Sequence, residues 1–370
     1  MQNILNSVNN IMLMGPGPSS VGPSTLYAMS RPTLGHMDPL FIKIMDEVKT
    51  GLRELFGTKN ELTLPMSGTG SIGMEASFVN TIEKGDNVLV LINGVFGQRM
   101  SDVAARLGAT VDTLDFQWGT PVIVDQVAQQ LKKKCYDIVS VIHAETSTGV
   151  LNPVQEIGNL LKGSDTLFIV DAVTSLGGVP VEVDKWGADV CYSGSQKCLS
   201  CPPGLAPITF SERAINKIKN RSYKVPNWYL DMNLLMDYWG GNKRVYHHTA
   251  PINMIYGLYQ AIYNTLNEGL ENVHARHIAA RDRLETGLLD LGLDLLVDKP
   301  YRLVPVTVPL VPKGVNEAAV RQILLDKYQI EIAGGLGSLS GKVFRIGVMG
   351  YNANPDSVDK VLEALKDALK

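Results

Sequence analysis

Between residues 62 and 210 the chain alternates short, β-rich apolar runs with longer mixed stretches, and few folds accommodate that pattern. The runs are residues 62–66, 87–92, 138–142, 167–170, 189–192 and 207–210. Most are apolar on both faces, as strands must be when helices cover both sides of a parallel sheet. The intervening stretches 70–82 and 97–107 have helical spacing. The pattern predicts an α/β domain built on a mostly parallel sheet with helices on both faces. The last two runs lie close together, which predicts a hairpin at one sheet edge.

The flanks read differently. Gly15-Pro16-Gly17-Pro18-Ser19-Ser20 is neither helix nor strand. After Asp38-Pro39, the residues Phe41, Ile44, Met45, Val48, Leu52 and Leu55 line one helical face, ended by Gly57. Beyond residue 250 come a long helical stretch to Leu291, strand-like 304–308, a helix near 316–328, strand-like 343–348 and a last helix from Asn354. The expected organisation is an extended segment 1–20 packed on the active site and dimer, a large α/β domain 21–250, and a small α+β domain 251–370.

Composition narrows the function. The 370 residues carry 34 basic and 37 acidic side chains, a net charge of -3. That balance provides no field for nucleic acid or an anionic membrane surface, so a small-molecule substrate is expected. No apolar run reaches the roughly 18 residues that a bilayer crossing needs. Four cysteines in so long a chain make no disulfide framework, which points to a reduced, cytoplasmic protein.

Three segments carry chemistry. Gly68-Thr69-Gly70-Ser71-Ile72-Gly73 reads as G-x-G-x-x-G between a strand and a helix, the dinucleotide fingerprint. The next strand, however, ends at Asn93 where a ribose-binding carboxylate belongs, and a full helix precedes the motif. What remains is a helix N-terminus with free N–H groups and two hydroxyls, a phosphate cradle or a plain structural turn. Asp171 closes an apolar strand at the end where open α/β sheets bind ligands. It reads as a helix cap, or as the anion that keeps a pyridinium nitrogen protonated. Lys197 follows Tyr192-Ser193-Gly194-Ser195-Gln196, past an apolar strand and before Pro202-Pro203-Gly204. A surface lysine is the plain reading. A confined lysine of lowered pKa is what imine chemistry requires.

The segment Ser193-Gly194-Ser195-Gln196-Lys197 with Pro202-Pro203-Gly204 resembles the cofactor-lysine region of class V aminotransferases, most closely the alanine–glyoxylate and serine–pyruvate type. Met14-Gly15-Pro16-Gly17-Pro18, residues 93–99, residues 145–150, Tyr246-His247-His248-Thr249 and Phe344-Arg345-Ile346-Gly347 resemble family segments in family order. The resemblance spans nearly the whole chain. It implies the fold type I architecture of pyridoxal-phosphate-dependent transferases, with a seven-stranded large-domain sheet and a small C-terminal domain. It also implies a homodimer with shared sites.

Position by position, the resemblance implies that Lys197 carries pyridoxal 5'-phosphate as a Schiff base and moves the proton. Asp171 would pair the ring nitrogen, and Thr146 the phenolic oxygen. Val173 would pack on one ring face and Phe96 on the other, where well-known members have Trp. Thr69, Gly70, Ser71 and Gln196 would hold the phosphate, although some relatives have His at the place of Ser71. Tyr246 and Thr249 would reach the neighbouring subunit's phosphate. Arg345 would bind the substrate carboxylate. The donor would be chosen around Gly35, a substrate-binding position, and around residues 334–336. The implied reaction is ping-pong transfer from alanine, serine or aspartate to glyoxylate or pyruvate. Rival readings are another pyridoxal-phosphate enzyme (a transaminase of a specialised amine, or a lyase), a nicotinamide-dependent oxidoreductase, and a non-catalytic binding protein.

Three further features read blandly. Cys198-Leu199-Ser200-Cys201 is C-x-x-C without a second pair, and no metal site is expected. His247-His248 is expected to be structural. Residues 337–342 have the wrong glycine spacing for a P-loop, and Val343 stands where Ser or Thr is required.

Overall fold

A computed structural model describes residues 3–240 and 244–370 of the chain. The seven strands of the central sheet are β1 (Leu62–Ser67), β2 (Asn87–Ile92), β3 (Thr110–Asp115), β4 (Ile138–Ile142), β5 (Leu167–Asp171), β6 (Val190–Tyr192) and β7 (Leu205–Phe210). They lie in the order β1-β7-β6-β5-β4-β2-β3, and only β7 runs against its neighbours. The mostly parallel α/β sheet expected from the apolar runs is therefore present.

Two details differ from the expectation. β6 and β7 do pair antiparallel, but not at the edge, because β1 adds beyond β7. The other edge strand, β3, has the sequence Thr-Val-Asp-Thr-Leu-Asp and a largely solvent-facing pattern. A half-wet edge strand carries no apolar run, so sequence periodicity passes over it.

The helix Pro39–Phe56 shows why the local reading works. Asp38 Oδ1 accepts the Leu40 N–H at 2.8 Å at its start, with Pro39 in the first turn. Phe41, Met45, Val48, Leu52 and Leu55 are buried, and Gly57 at φ 58° ends it in the left-handed conformation.

The large hydrophobic core extends through Ile255, Leu258, Ala261 and Ile262 of the helix Ile252–Glu268. That helix packs into the first core, and the second core, around which the smaller unit is built, draws on the helix Leu270–Asp290. The second core gathers Leu284, Leu288, Phe344, Ile346, Val361 and Leu365, and it includes Met14 from the N-terminal segment. Met12–Leu13 pairs in parallel with Ile330–Glu331, and the Gly347 N–H donates to the Met14 carbonyl at 2.7 Å. The opening segment is thus part of the small unit, and it leads from there to the sheet.

His277 ties the helix Leu270–Asp290 to the turn at Gly350. It is fully buried, with Nδ1 against the Val273 carbonyl at 2.7 Å and Nε2 accepting the Gly350 N–H at 2.9 Å. That geometry requires the neutral ring, and burial pushes its pKa down to about 4. The unfolded chain therefore takes up this proton more readily, and His277 contributes stability above about pH 6.5 that is lost as pH falls toward 4. Replacing His277 by Ala should cost about 1–3 kcal/mol near neutral pH through the orphaned Gly350 N–H. The difference in denaturation midpoint between wild type and H277A should narrow at about pH 5. A gap that stays constant with pH would contradict the neutral-ring assignment.

Candidate active site

The C-terminal ends of β2, β4, β5 and β6 and the N-terminal ends of two helices surround one cavity of about 190 Å³. Gly70, Ser71, Phe96, Thr146, Asp171, Val173, Gln196 and Lys197 all line it. This is the edge at which open α/β sheets bind ligands.

Asp171 ends β5, in register with Ile142 on one side and Tyr192 on the other. Its Oδ1 accepts the Val173 N–H at 2.8 Å, which turns the chain and sets Val173 on the cavity wall. Burial pushes the carboxyl up to about 6. The Val173 N–H, Lys197 and Arg99 pull it back.

Lys197 lies on the loop between β6 and β7, and that loop is fixed along its length. Ser195 Oγ donates to the Pro202 carbonyl at 2.6 Å, and the Ser200 N–H donates to the Lys197 carbonyl at 3.0 Å. Ser200 adopts φ 51°, a left-handed conformation rare for serine, and its hydroxyl accepts the Tyr351 N–H of the small unit at 2.7 Å. From the other side, Ser19 Oγ donates to the Lys197 carbonyl at 2.6 Å, and Lys197 Nζ donates to the Pro16 carbonyl at 2.5 Å. Burial lowers the Lys197 ammonium to about 8, with Asp171 opposing that shift and Arg345 adding to it. An amine in this range exchanges protons near neutral pH.

The helix Gly70–Thr81 starts at the cavity with no side chain capping it. A Cβ at Gly70 would lie 3.0 Å from Val173, so any side chain there would have to displace the Val173 methyls. Gln196 Oε1 is buried without a partner, and the amide is free to turn its N–H groups toward an anion. A helix N-terminus, a hydroxyl and a free amide fit a phosphate.

Other expected residues lie elsewhere. Thr69 precedes the Gly70–Thr81 helix and is exposed outside the cavity lining. Gly35 is exposed, with nothing within 4 Å of the place its Cβ would take. Tyr246 is 54% exposed and faces Thr249 Oγ1 at 3.3 Å, and neither lines the cavity of its own chain. Arg345 is buried beside the cavity. Its Nε donates to the Gly334 carbonyl at 2.7 Å and Nη1 to the Thr146 carbonyl at 3.3 Å.

Met74 and Thr174, which the sequence does not mark, also line the cavity, as does Arg99, which lies in the segment 93–99 without a role of its own there. The Arg99 guanidinium lies 5.1 Å from the Phe96 ring centroid. Its i,i+3 spacing from Phe96 was the available signal. Cys198 and Cys201 are free and buried, and no cluster of three or more potential metal ligands occurs among the described residues. His247 and His248 present their rings at 87° to each other, with His247 stacked on Trp228.

A buried amine of lowered pKa, a buried carboxylate one strand away, a phosphate cradle and a guanidinium in one place define a class of enzyme that handles amino groups on carboxylate substrates. Residues 24–361 match the family described as aminotransferase class-V, and the chain belongs to it. It is 41% identical to the alanine–glyoxylate aminotransferase of Callithrix jacchus, across 98% of this chain and 89% of the relative. It is 39% identical to the (S)-ureidoglycine–glyoxylate transaminase of Bacillus subtilis, across 96% and 90%. The crystal structure of alanine–glyoxylate aminotransferase from Nostoc superposes with a TM-score of 0.96, at 45% identity and over all of both chains. The protein is an aminotransferase, and the nicotinamide and non-catalytic readings fall away.

If Arg345 holds the substrate carboxylate, R345A should raise the Michaelis constants for donor and acceptor alike. A lost charged hydrogen bond corresponds to roughly 1.5–3 kcal/mol, or about 10- to 150-fold. R345K should recover only part of this, because a point charge lacks the fork. Unchanged constants for both substrates would refute the role.

Proposed function

We propose that this aminotransferase binds pyridoxal 5'-phosphate around Lys197 and moves the amino group of a small amino acid to glyoxylate, as a homodimer. The observation that carries the reading is that Lys197, Asp171 and the Gly70–Ser71 helix start line a single cavity.

Gly70, Ser71 and Gln196 would hold the phosphate. Asp171 would pair the ring nitrogen, Phe96 and Val173 would enclose the ring, and Thr146 would reach its phenolic oxygen. When bound, the cofactor supplies an aldehyde for the amino group and a ring that delocalises the electron pair left at the α-carbon. Asp171, as a carboxylate, keeps a proton on the ring nitrogen. Arg345 orients the substrate through its carboxylate. Lys197 Nζ, deprotonated in part near neutral pH because it is buried, accepts the α-proton. Its bond to the Pro16 carbonyl gives that amine a fixed place when it carries nothing else.

The acceptor follows from the relatives, whose names share glyoxylate while their donors differ. A matrix of donors against glyoxylate and pyruvate, with purified protein, should show turnover with glyoxylate and one small donor. K197A should lose that turnover and the visible band of the lysine-bound cofactor. Native-rate transamination by K197A would overturn the assignment.

The homodimer is supported by exposed aromatic surface. Trp228 is 61% exposed and stacks on His247, and Tyr246 lies 4.8 Å from His36 between ring centroids. Tyr246 is then available to a neighbour's phosphate. Mixing K197A with Y246A chains should regenerate intact sites in hybrid dimers, with recovery of about a quarter of wild-type activity at equal mixing. No recovery, with dimers still formed, would refute a shared site.

A further inference from the structure

Glu145 is a fully buried carboxylate to which the chemistry above gives no task. Oε1 accepts the Ser147 N–H at 3.1 Å and the Ser147 hydroxyl at 2.5 Å. Oε2 accepts the Phe96 N–H at 3.2 Å and the Gly97 N–H at 3.4 Å. Ser147 Oγ in turn accepts the Val95 N–H at 3.0 Å. The helix Val95–Arg106 thus has the N–H groups of its first three residues satisfied by one turn, Glu145-Thr146-Ser147, that follows a different strand. The approach is so close that a Cβ at Gly94 would collide with both Glu145 and Ser147.

All four partners of Glu145 are donors, so the acceptor-only carboxylate satisfies every one of them. The negative charge also faces a helix N-terminus. Burial pushes this carboxyl up to about 7, and the Ser147 bonds pull it back. The same turn ends on Arg345, whose Nη1 donates to the Thr146 carbonyl. Phe96 has no polar side-chain atom of its own. Its ring is therefore placed by its main chain and by packing, and the main chain is what Glu145 holds.

We propose that Glu145 is a positioning residue that fixes the Phe96 face of the cavity and links it to the Arg345 clamp. The inference rests on the cofactor reading, because Phe96 matters as a stacking face only if a ring binds there. Gln is the informative replacement. It is nearly isosteric, but one of its edges presents N–H groups to N–H donors, so one side of the clamp must open.

The test uses apoprotein of wild type, E145Q, F96A and the double variant, titrated with pyridoxal 5'-phosphate. The readouts are the dissociation constant and the visible circular dichroism of the bound cofactor. E145Q should weaken binding about ten-fold and reduce the dichroic signal when Phe96 is present. With Ala at 96 the same change should cost less than about two-fold, because residues acting as one unit are not additive. An equal loss in both backgrounds, or unchanged affinity and dichroism, would overturn the role. If E145Q does not fold, S147A repeats the comparison, with about three-fold expected from the loss of one hydroxyl. Wild-type apoprotein that gives no visible band with the cofactor would overturn the cofactor reading itself, whereas binding without dependence on Glu145 would overturn the positioning role alone.

Discussion

Taking charge out of water is the constraint around which this molecule is arranged. Lys197 and Asp171 emerge from neighbouring strands into a place where burial opposes the charged state of both. Each offsets part of that cost for the other, and neither is left to solvent. A lysine on a mobile loop would relax toward water and regain its ordinary basicity. The loop bonds of Ser195, Ser200 and Ser19 oppose this and keep the amine in the buried place where desolvation lowers it.

The small unit does much of the holding. The Tyr351 N–H donates to the Ser200 hydroxyl, and His277 Nε2 accepts the Gly350 N–H beside it. Arg276 donates to the Gly350 and Ala353 carbonyls. The strand that carries Arg345 (Phe344–Gly347) also binds the N-terminal segment through Gly347, and a few residues later that segment reaches Lys197 at Pro16. The strand of Arg345 and the Lys197 amine are thus connected by a short run of hydrogen bonds. Any shift of the small unit moves both.

The local code of the chain was readable where one side chain decides the outcome. Asp38 and Gly57 mark the ends of a helix because a carboxylate caps N–H groups and glycine tolerates a left-handed turn. Asp171 and Lys197 stood out because polar residues end apolar strands there. β3 was hidden because its exposed edge dilutes the apolar signal. The place of β1 outside the β6–β7 pair was hidden because sheet order is a long-range property. The helix Ile252–Glu268 looked like the start of a new unit, and only packing shows which core its buried face joins. Glu145 carries no signal of its own within the segment 145–150, because its partners meet it only once the ends of β2 and β4 are brought side by side. Gly35, Tyr246 and Thr249 do not reach the cavity of their own chain.

Charge also explains why the site is open to what it binds. Three cations point to the cavity: Lys197 and Arg99 on its lining and Arg345 beside it. Two buried carboxylates, Asp171 and Glu145, face them, and the formal charges counted as fully ionised leave one positive in excess. Glu145 is already committed to four donors on the wall, so it neutralises the field without competing for a ligand. An uncompensated charge in a half-buried cavity is unfavourable, and an anion entering it removes that penalty. Under the proposed function the helix start at Gly70 would take the cofactor phosphate and the Arg345 guanidinium the substrate carboxylate, so each anion would meet its own donors.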